Sequence, residues 1–192
     1  MKNLDILIVG VGGQGTLLAS RILGQLALQM GLDAKVSEVH GMAQRGGSVV
    51  TYVRMGENIA SPMIEEGGAD YILAMEKLEA ARWLNHLKKD GALVVNDQEI
   101  APMPVIMGKM AYPEGLEEQF AAYGVKVTKV DAFKIAVELG NQRAFNCVLM
   151  GVLARSMPFA KEEWLKAVEV CVPPKTIALN QQAFLKGYEL GE

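Results

Sequence analysis

Thiols are scarce in this chain. Cys147 and Cys171 are its only cysteines. They sit far apart in apolar surroundings (AFNCVLMG and VEVCVPP), with no CxxC pair. Four thiolates are needed to hold a four-iron cluster, and a structural all-cysteine zinc site needs as many, so this chain alone supplies neither. Both thiols read as buried and inert. Histidine is equally sparse, with only His40 and His86. No run of 18 apolar residues occurs, so no membrane span is expected. The opening MKNLDILIVG has too short an apolar run, and too early an Asp5, for a signal peptide. A cytoplasmic protein is the expectation. Charge of one sign is lacking as well: 19 basic against 22 acidic side chains leave a net charge of −3, which argues against a nucleic-acid binder.

What is plentiful is apolar material. Hydrophobic residues make up 51% of the 192, enough for a substantial core within one domain spanning 1–192. Leu4 to Val9 (LDILIV) is a continuous apolar run that suits a strand buried on both faces. Gly15 to Met30 has helical spacing, with Leu18, Ile22, Leu26 and Met30 recurring every four residues. Further strands are predicted at 34–39, 48–55, 70–75, 92–95 and 125–130. A helix over 76–89 has acids first and lysines last, complementing its dipole. Residues 98–112 are less regular, and Asp33 falls before its strand. Beyond Asp131 the pattern is helical, at 132–139, 141–156, 159–170 and 175–189. The expected fold is α/β in three layers, with a mainly parallel sheet, a Rossmann-like first strand–loop–helix and a helical C-terminal part.

Between the first strand and first helix lies GVGGQG: Gly10, Gly12, Gly13, Gln14 and Gly15. Glycines here permit a tight turn and close approach of an anion to backbone N–H groups, with the helix dipole adding attraction. The same glycines could serve only to pack strand against helix. A dinucleotide fold should also place an acid near the end of the second strand to hold ribose. Lys35 stands there, and Glu38 comes late. A related glycine pattern occurs in adenylating enzymes, but those commonly bring CxxC pairs, which are missing here.

The connector after the second strand is unusually rich in polar and backbone-permissive residues. SEVHGMAQRGGSVV (37–50) carries His40, Gln44, Arg45, Gly46 and Gly47. An arginine offers a planar fork of donors for phosphate or carboxylate, and the paired glycines allow close approach. In an open parallel sheet this loop should lie beside the first one. Composition alone leaves two readings open, an anion-binding edge and a structural turn.

Taken together and in this order, GVGGQG and HGMAQRGG resemble the gamma-type domain of 2-oxoacid:ferredoxin oxidoreductases. The second motif is similar to that of indolepyruvate-type members. Relatives acting on pyruvate or 2-oxoglutarate tend to have a Gly-Pro-Glu-type sequence before the arginine. The resemblance continues in LAMEKLEA (73–80), ELGNQRAFNCVLMG (138–151) and VPPKTIALNQQAFLKGYE (172–189), nearly the whole chain. It implies a cluster-free subunit of an enzyme that oxidatively decarboxylates an arylpyruvate to an acyl-CoA and carbon dioxide, with electrons passing to ferredoxin. Thiamine diphosphate, magnesium and the 4Fe-4S clusters would belong to a larger alpha subunit, the expected partner. Coenzyme A is the ligand these loops are expected to meet. No catalytic residue is expected here, and the chain should be inactive alone, where it is open to pairing as a homodimer.

Asn146 lies inside the apolar stretch after Gly140-Asn141. A buried amide there needs partners, and it reads either as a bonded core group or as one reaching the loop edge. Asn141 reads as a helix cap. Two other classes stay open: a stand-alone nucleotide-binding oxidoreductase built on GVGGQG, and a non-catalytic assembly module.

Overall fold

The computed structural model describes residues 3–41 and 46–191. Strand β1 (Leu4–Val11) runs into helix α1 (Thr16–Gln29), then β2 (Asp33–His40), β3 (Ser48–Gly56) and β4 (Ala69–Ala74). Helix α2 (Lys77–Trp83), β5 (Leu87–Asn96), α3 (Met103–Ile106), α4 (Leu116–Tyr123), β6 (Lys126–Val130) and α5 (Ala132–Glu138) follow. Helices α6 (Phe145–Ser156), α7 (Lys161–Cys171) and α8 (Ile177–Leu190) form the C-terminal part. Among the described residues no helix is long and apolar enough to cross a membrane.

The six strands lie in the order β2-β3-β1-β4-β5-β6. The sheet is mixed and mostly parallel. β1 pairs with β4, β4 with β5 and β5 with β6 in parallel, while β3 runs antiparallel to both β1 and β2. The cause is connector length. A parallel crossover takes a dozen or more residues, and only residues 41–47 join β2 to β3. A hairpin is the sole way back.

Apolar side chains fill both faces of the sheet. Ile6 and Ile8 point into a core with Ile22, Leu23 and Leu26 of α1 and most of α6. Leu7 and Val9 point the other way, toward Ala80 of α2 and Leu116 and Phe120 of α4. This explains the apolar run of β1 from Ile6 to Val9, since alternate residues serve opposite cores. Leu18 is only partly buried and Met30 is 43% exposed, so the inward stripe of α1 is narrower than its spacing suggests. Helix α6 is buried from Asn146 to Ala154. It crosses α8 at two glycines. A Cβ on Gly151 would collide with the carbonyl of Phe184, and one on Gly187 with that of Val148.

Several expectations need correction. The helix after β4 stops at Trp83, and a tight turn at 84–86 leads into β5. Lys88 therefore sits in a strand, where it pairs with Asp70 at 2.7 Å, instead of in a last helical turn. Asp90-Gly91 falls at an irregularity in the β4–β5 register and does not end a helix. Asp33 opens β2, held by Lys35 at 2.6 Å. Residues 116–123, between the less regular stretch at 98–112 and the strand expected from 125, form a helix where no element is expected. Cys171 is only partly buried, unlike Cys147.

Candidate functional site

The glycine loop is shaped by positions where a side chain would be strained or obstructed. Gly13 and Gly15 have φ of 102° and 82°, conformations that L side chains resist. A Cβ on Gly10 would approach Gln14 Oε1 to 2.8 Å and Met75 Cβ to 2.9 Å. Gln14 itself turns inward. Its Oε1 accepts from Val11 N at 2.8 Å, and its Nε2 donates to Met75 O at 3.1 Å and Gln98 Oε1 at 3.3 Å. Asn96 joins this network by donating to Met75 O and Gln98 Oε1, both at 3.1 Å. Gln14 thus braces the loop from below.

The second loop is zipped to the first by backbone. Gly12 N donates to Gly47 O at 2.8 Å, and Gly46 N donates to Gly12 O at 3.2 Å. Gln44 and Arg45 lie outside the described residues. At the exit of the loop, Ser48 Oγ donates to Glu79 Oε2 at 2.6 Å, and Arg82 Nη1 donates to Glu79 Oε1 at 2.5 Å. Glu79 is fully buried, so this acid on α2 anchors the start of β3 through a charge-assisted bond.

A cavity of about 410 Å³ opens between the loops, lined by Gly12, Gly13, Gly15, Thr16, Glu38 and His40 among others. The N-terminus of α1 faces it. That helix has no acid in its first turn and no side-chain cap. Among the described residues, the amides of Gly13, Gly15 and Thr16 have no acceptor. Unpaired N–H groups at a helix start are an anion site in waiting. Glu38 borders it. Its Oε2 accepts from Thr16 Oγ1 at 3.2 Å and Thr51 Oγ1 at 3.3 Å, and its Oε1 lies 3.7 Å from His40 Nδ1.

Asn146 reaches this loop from α6. It is 5% exposed, and its Oδ1 is buried without a hydrogen-bond partner. Its Nδ2 stands over Gly15, where a Cβ would collide with it. A buried amide lacking a partner is costly unless something completes it. The structure therefore brings Gly10 to Gly15, Gly46, Gly47, His40 and Asn146 to one end of the sheet. It adds Thr16, Glu38 and Glu79, which motif reading did not single out as site residues. Only the hydroxyl directly after the glycines hinted at Thr16. Among the described residues no group of three or more His, Cys, Asp or Glu side chains is arranged to hold a metal ion.

Known proteins match this chain over nearly its whole length. Residues 5–190 match the family described as pyruvate ferredoxin/flavodoxin oxidoreductase. The indolepyruvate oxidoreductase subunit IorB of Thermococcus kodakarensis is 44% identical over 195 residues, covering 97% of this chain and 95% of that protein. The solved gamma subunit of a keto/oxoacid ferredoxin oxidoreductase from Geobacter sulfurreducens superposes with a TM-score of 0.73 at 25% identity, over 97% of both chains. The 2-oxoglutarate:ferredoxin oxidoreductase of Magnetococcus marinus, solved with 2-oxoglutarate, coenzyme A and succinyl-CoA bound, shares the fold at a TM-score of 0.73 and 19% identity. This chain spans 99% of its own length there but 31% of that longer chain.

Proposed function

The chain belongs to the pyruvate ferredoxin/flavodoxin oxidoreductase family, and as a subunit of an indolepyruvate-type 2-oxoacid:ferredoxin oxidoreductase we propose that it holds the phosphates of coenzyme A. The complete enzyme would convert an aryl 2-oxoacid and coenzyme A into an acyl-CoA, carbon dioxide and a proton, passing two electrons to ferredoxin. Thiamine diphosphate, magnesium and the clusters would sit on the alpha partner. Coenzyme A supplies the thiol that accepts the acyl group.

One observation carries this reading: the acceptor-free amides of Gly13, Gly15 and Thr16 at the start of α1, with the Asn146 side-chain Nδ2 directly over Gly15. The residues fit a phosphate. Backbone donors and the dipole of a 14-residue helix attract it. The glycines let it come close, and the Asn146 Nδ2 hydrogens add a side-chain donor. Arg45 would complete the charge balance, with Gln44 and His40 as polar neighbours. Gly46 and Gly47 would hold that second loop against Gly12. The chain's role is to bind and orient, with no bond made or broken on its own side chains.

Reconstitution tests this. The chain, its alpha partner and the mixture are assayed without oxygen for ferredoxin reduction with indolepyruvate and coenzyme A, and activity is expected in the mixture only. In the assembled enzyme, Arg45→Ala should raise the KM for coenzyme A about tenfold or more, as loss of a charged hydrogen-bond partner does, and Gly15→Ala should raise it by a similar factor because its Cβ collides with Asn146 and strains the loop. An unchanged KM in both variants would refute the phosphate site.

Glu38 favours a second reading. An acid at the end of β2, facing the glycine loop, is where a ribose diol is held in dinucleotide folds. Saturable binding of NAD by this chain alone, abolished in Glu38→Ala, would support a stand-alone nucleotide-binding oxidoreductase.

A further inference from the structure

Gly13 also borders a second cleft, of about 280 Å³. Two phenyl rings form one wall. Phe133 of α5 and Phe145 of α6 stand 6.5 Å apart at 57°. Phe133 is 38% exposed, although most large apolar side chains of this fold are buried. Arg143 stands at the rim. It is exposed, and among the described residues its guanidinium has no ion pair or hydrogen bond. Gln98 and Gln142 complete the polar side. The Oε1 of Gln98 is already taken by Gln14 and Asn96, so what it has left to offer is its N–H donors. None of the lining residues is acidic.

This composition contrasts with the neighbouring crevice around Lys77, which is lined by Glu99, Glu114, Glu117 and Glu118. In a chain of net charge −3, a cleft with one free cation, free amide donors and no acid is selective for anions. Its paired rings are selective for something flat. Arginine binds carboxylates and phosphates through a two-pronged fork and also stacks on planar groups. Aromatic side chains stack on bases and other rings.

We propose that this cleft is a binding site for a flat aromatic ring that carries an anionic group. The ring lies against Phe133 and Phe145, and the anion meets Arg143 and the amide donors. Two molecules of the reaction have this chemistry: the adenosine phosphate end of coenzyme A, and the aryl 2-oxoacid with its carboxylate. Gly13 borders both this cleft and the phosphate cavity, so a ligand as long as coenzyme A can cross from one to the other.

The test uses the full chain, where Phe133 and Arg143 are accessible and their replacement threatens the core little. Titration calorimetry is run with adenosine 3′,5′-bisphosphate and, separately, with indole-3-acetate. One of the two should bind saturably, and its Kd should rise about tenfold in Phe133→Ala and in Arg143→Gln. In the assembled enzyme the same variants should raise a KM without lowering kcat. Adenosine as the source predicts a raised KM for coenzyme A. An aryl acid as the source predicts a raised KM for indolepyruvate but not for pyruvate.

Binding that is lost in Gly15→Ala yet intact in Phe133→Ala would uphold the phosphate site and overturn this one. Variants that leave every Kd and KM unchanged would also overturn it. So would variants that impair assembly with the alpha partner while KM stays the same, because the cleft would then be a protein contact.

Discussion

Glu76 follows β4 and caps α2 while almost wholly shielded from water. Its Oε1 accepts from Glu79 N, and Tyr112 Oη donates to its Oε2 at 3.4 Å. Burial is the largest influence on its carboxyl group and pushes the pKa above the ordinary carboxylate value, against the backbone donors that lower it. The folded protein therefore holds this proton more tightly than the unfolded chain. Stability is fully present below the unfolded pKa and declines as pH rises through the folded one. Glu76→Gln keeps an acceptor for the helix cap and removes the titration. Its Tm should fall less than that of the wild type between about pH 4.5 and pH 7, as a melting series would read. The thiols differ at the same scale. Burial pushes Cys147 up to about 12, and its Sγ donates to Asn180 Oδ1 at 3.2 Å. Cys171 is also raised by burial but is partly exposed. A maleimide reagent at neutral pH should label Cys171 slowly in the native protein and reach Cys147 only after unfolding.

Among the elements, α6 and α8 lie close enough for their backbones to touch. Gly187→Ala forces the helix apart from the Val148 carbonyl, and the resulting overpacking should cost about 1–3 kcal/mol, only partly offset by the better helix propensity of alanine. A methyl group added at Gly24 in α1 would meet nothing within 4 Å, so Gly24→Ala should stabilise by up to about 1 kcal/mol. Denaturant titration of the pair separates close approach from propensity. These contacts explain what is and is not legible in the chain. The apolar run of β1 announces its two-sided burial, because period and hydrophobicity are properties of the local sequence. The glycine pair of α6 and α8 is invisible there, since residues 151 and 187 meet only after folding. The end of α2 is hidden for a similar reason. Lys88 suits a helix terminus, but Leu87 pairs with Ala69 in the sheet, and strand pairing outweighs a few tenths of a kcal/mol of dipole energy.

Across the whole molecule, the two glycine motifs are legible as a site because a parallel sheet gathers loops at one end. The hairpin that inserts β3 between β1 and β2 preserves that gathering. By sequence position Glu38 comes late in its strand, yet antiparallel pairing extends β2 to His40 and carries Glu38 to the mouth of α1. Arg143 and Phe145 lie within the 138–151 stretch, but nothing in the sequence ties them to Phe133; α5, α6 and the turn between them bring the three together.

The α6–α8 crossing has one consequence for the first glycine loop. Asn146 and Gly151 lie on the same rigid helix, little more than one turn apart. Gly151 is clamped by α8, and Asn146 overhangs Gly15. The height of the roof above the first loop is thus set by residues 184–188, some 170 positions further along the chain. Gly187→Ala, which pushes the two helices apart, should therefore register as a slackened grip on anions while the fold persists, and competition by inorganic phosphate would measure the difference.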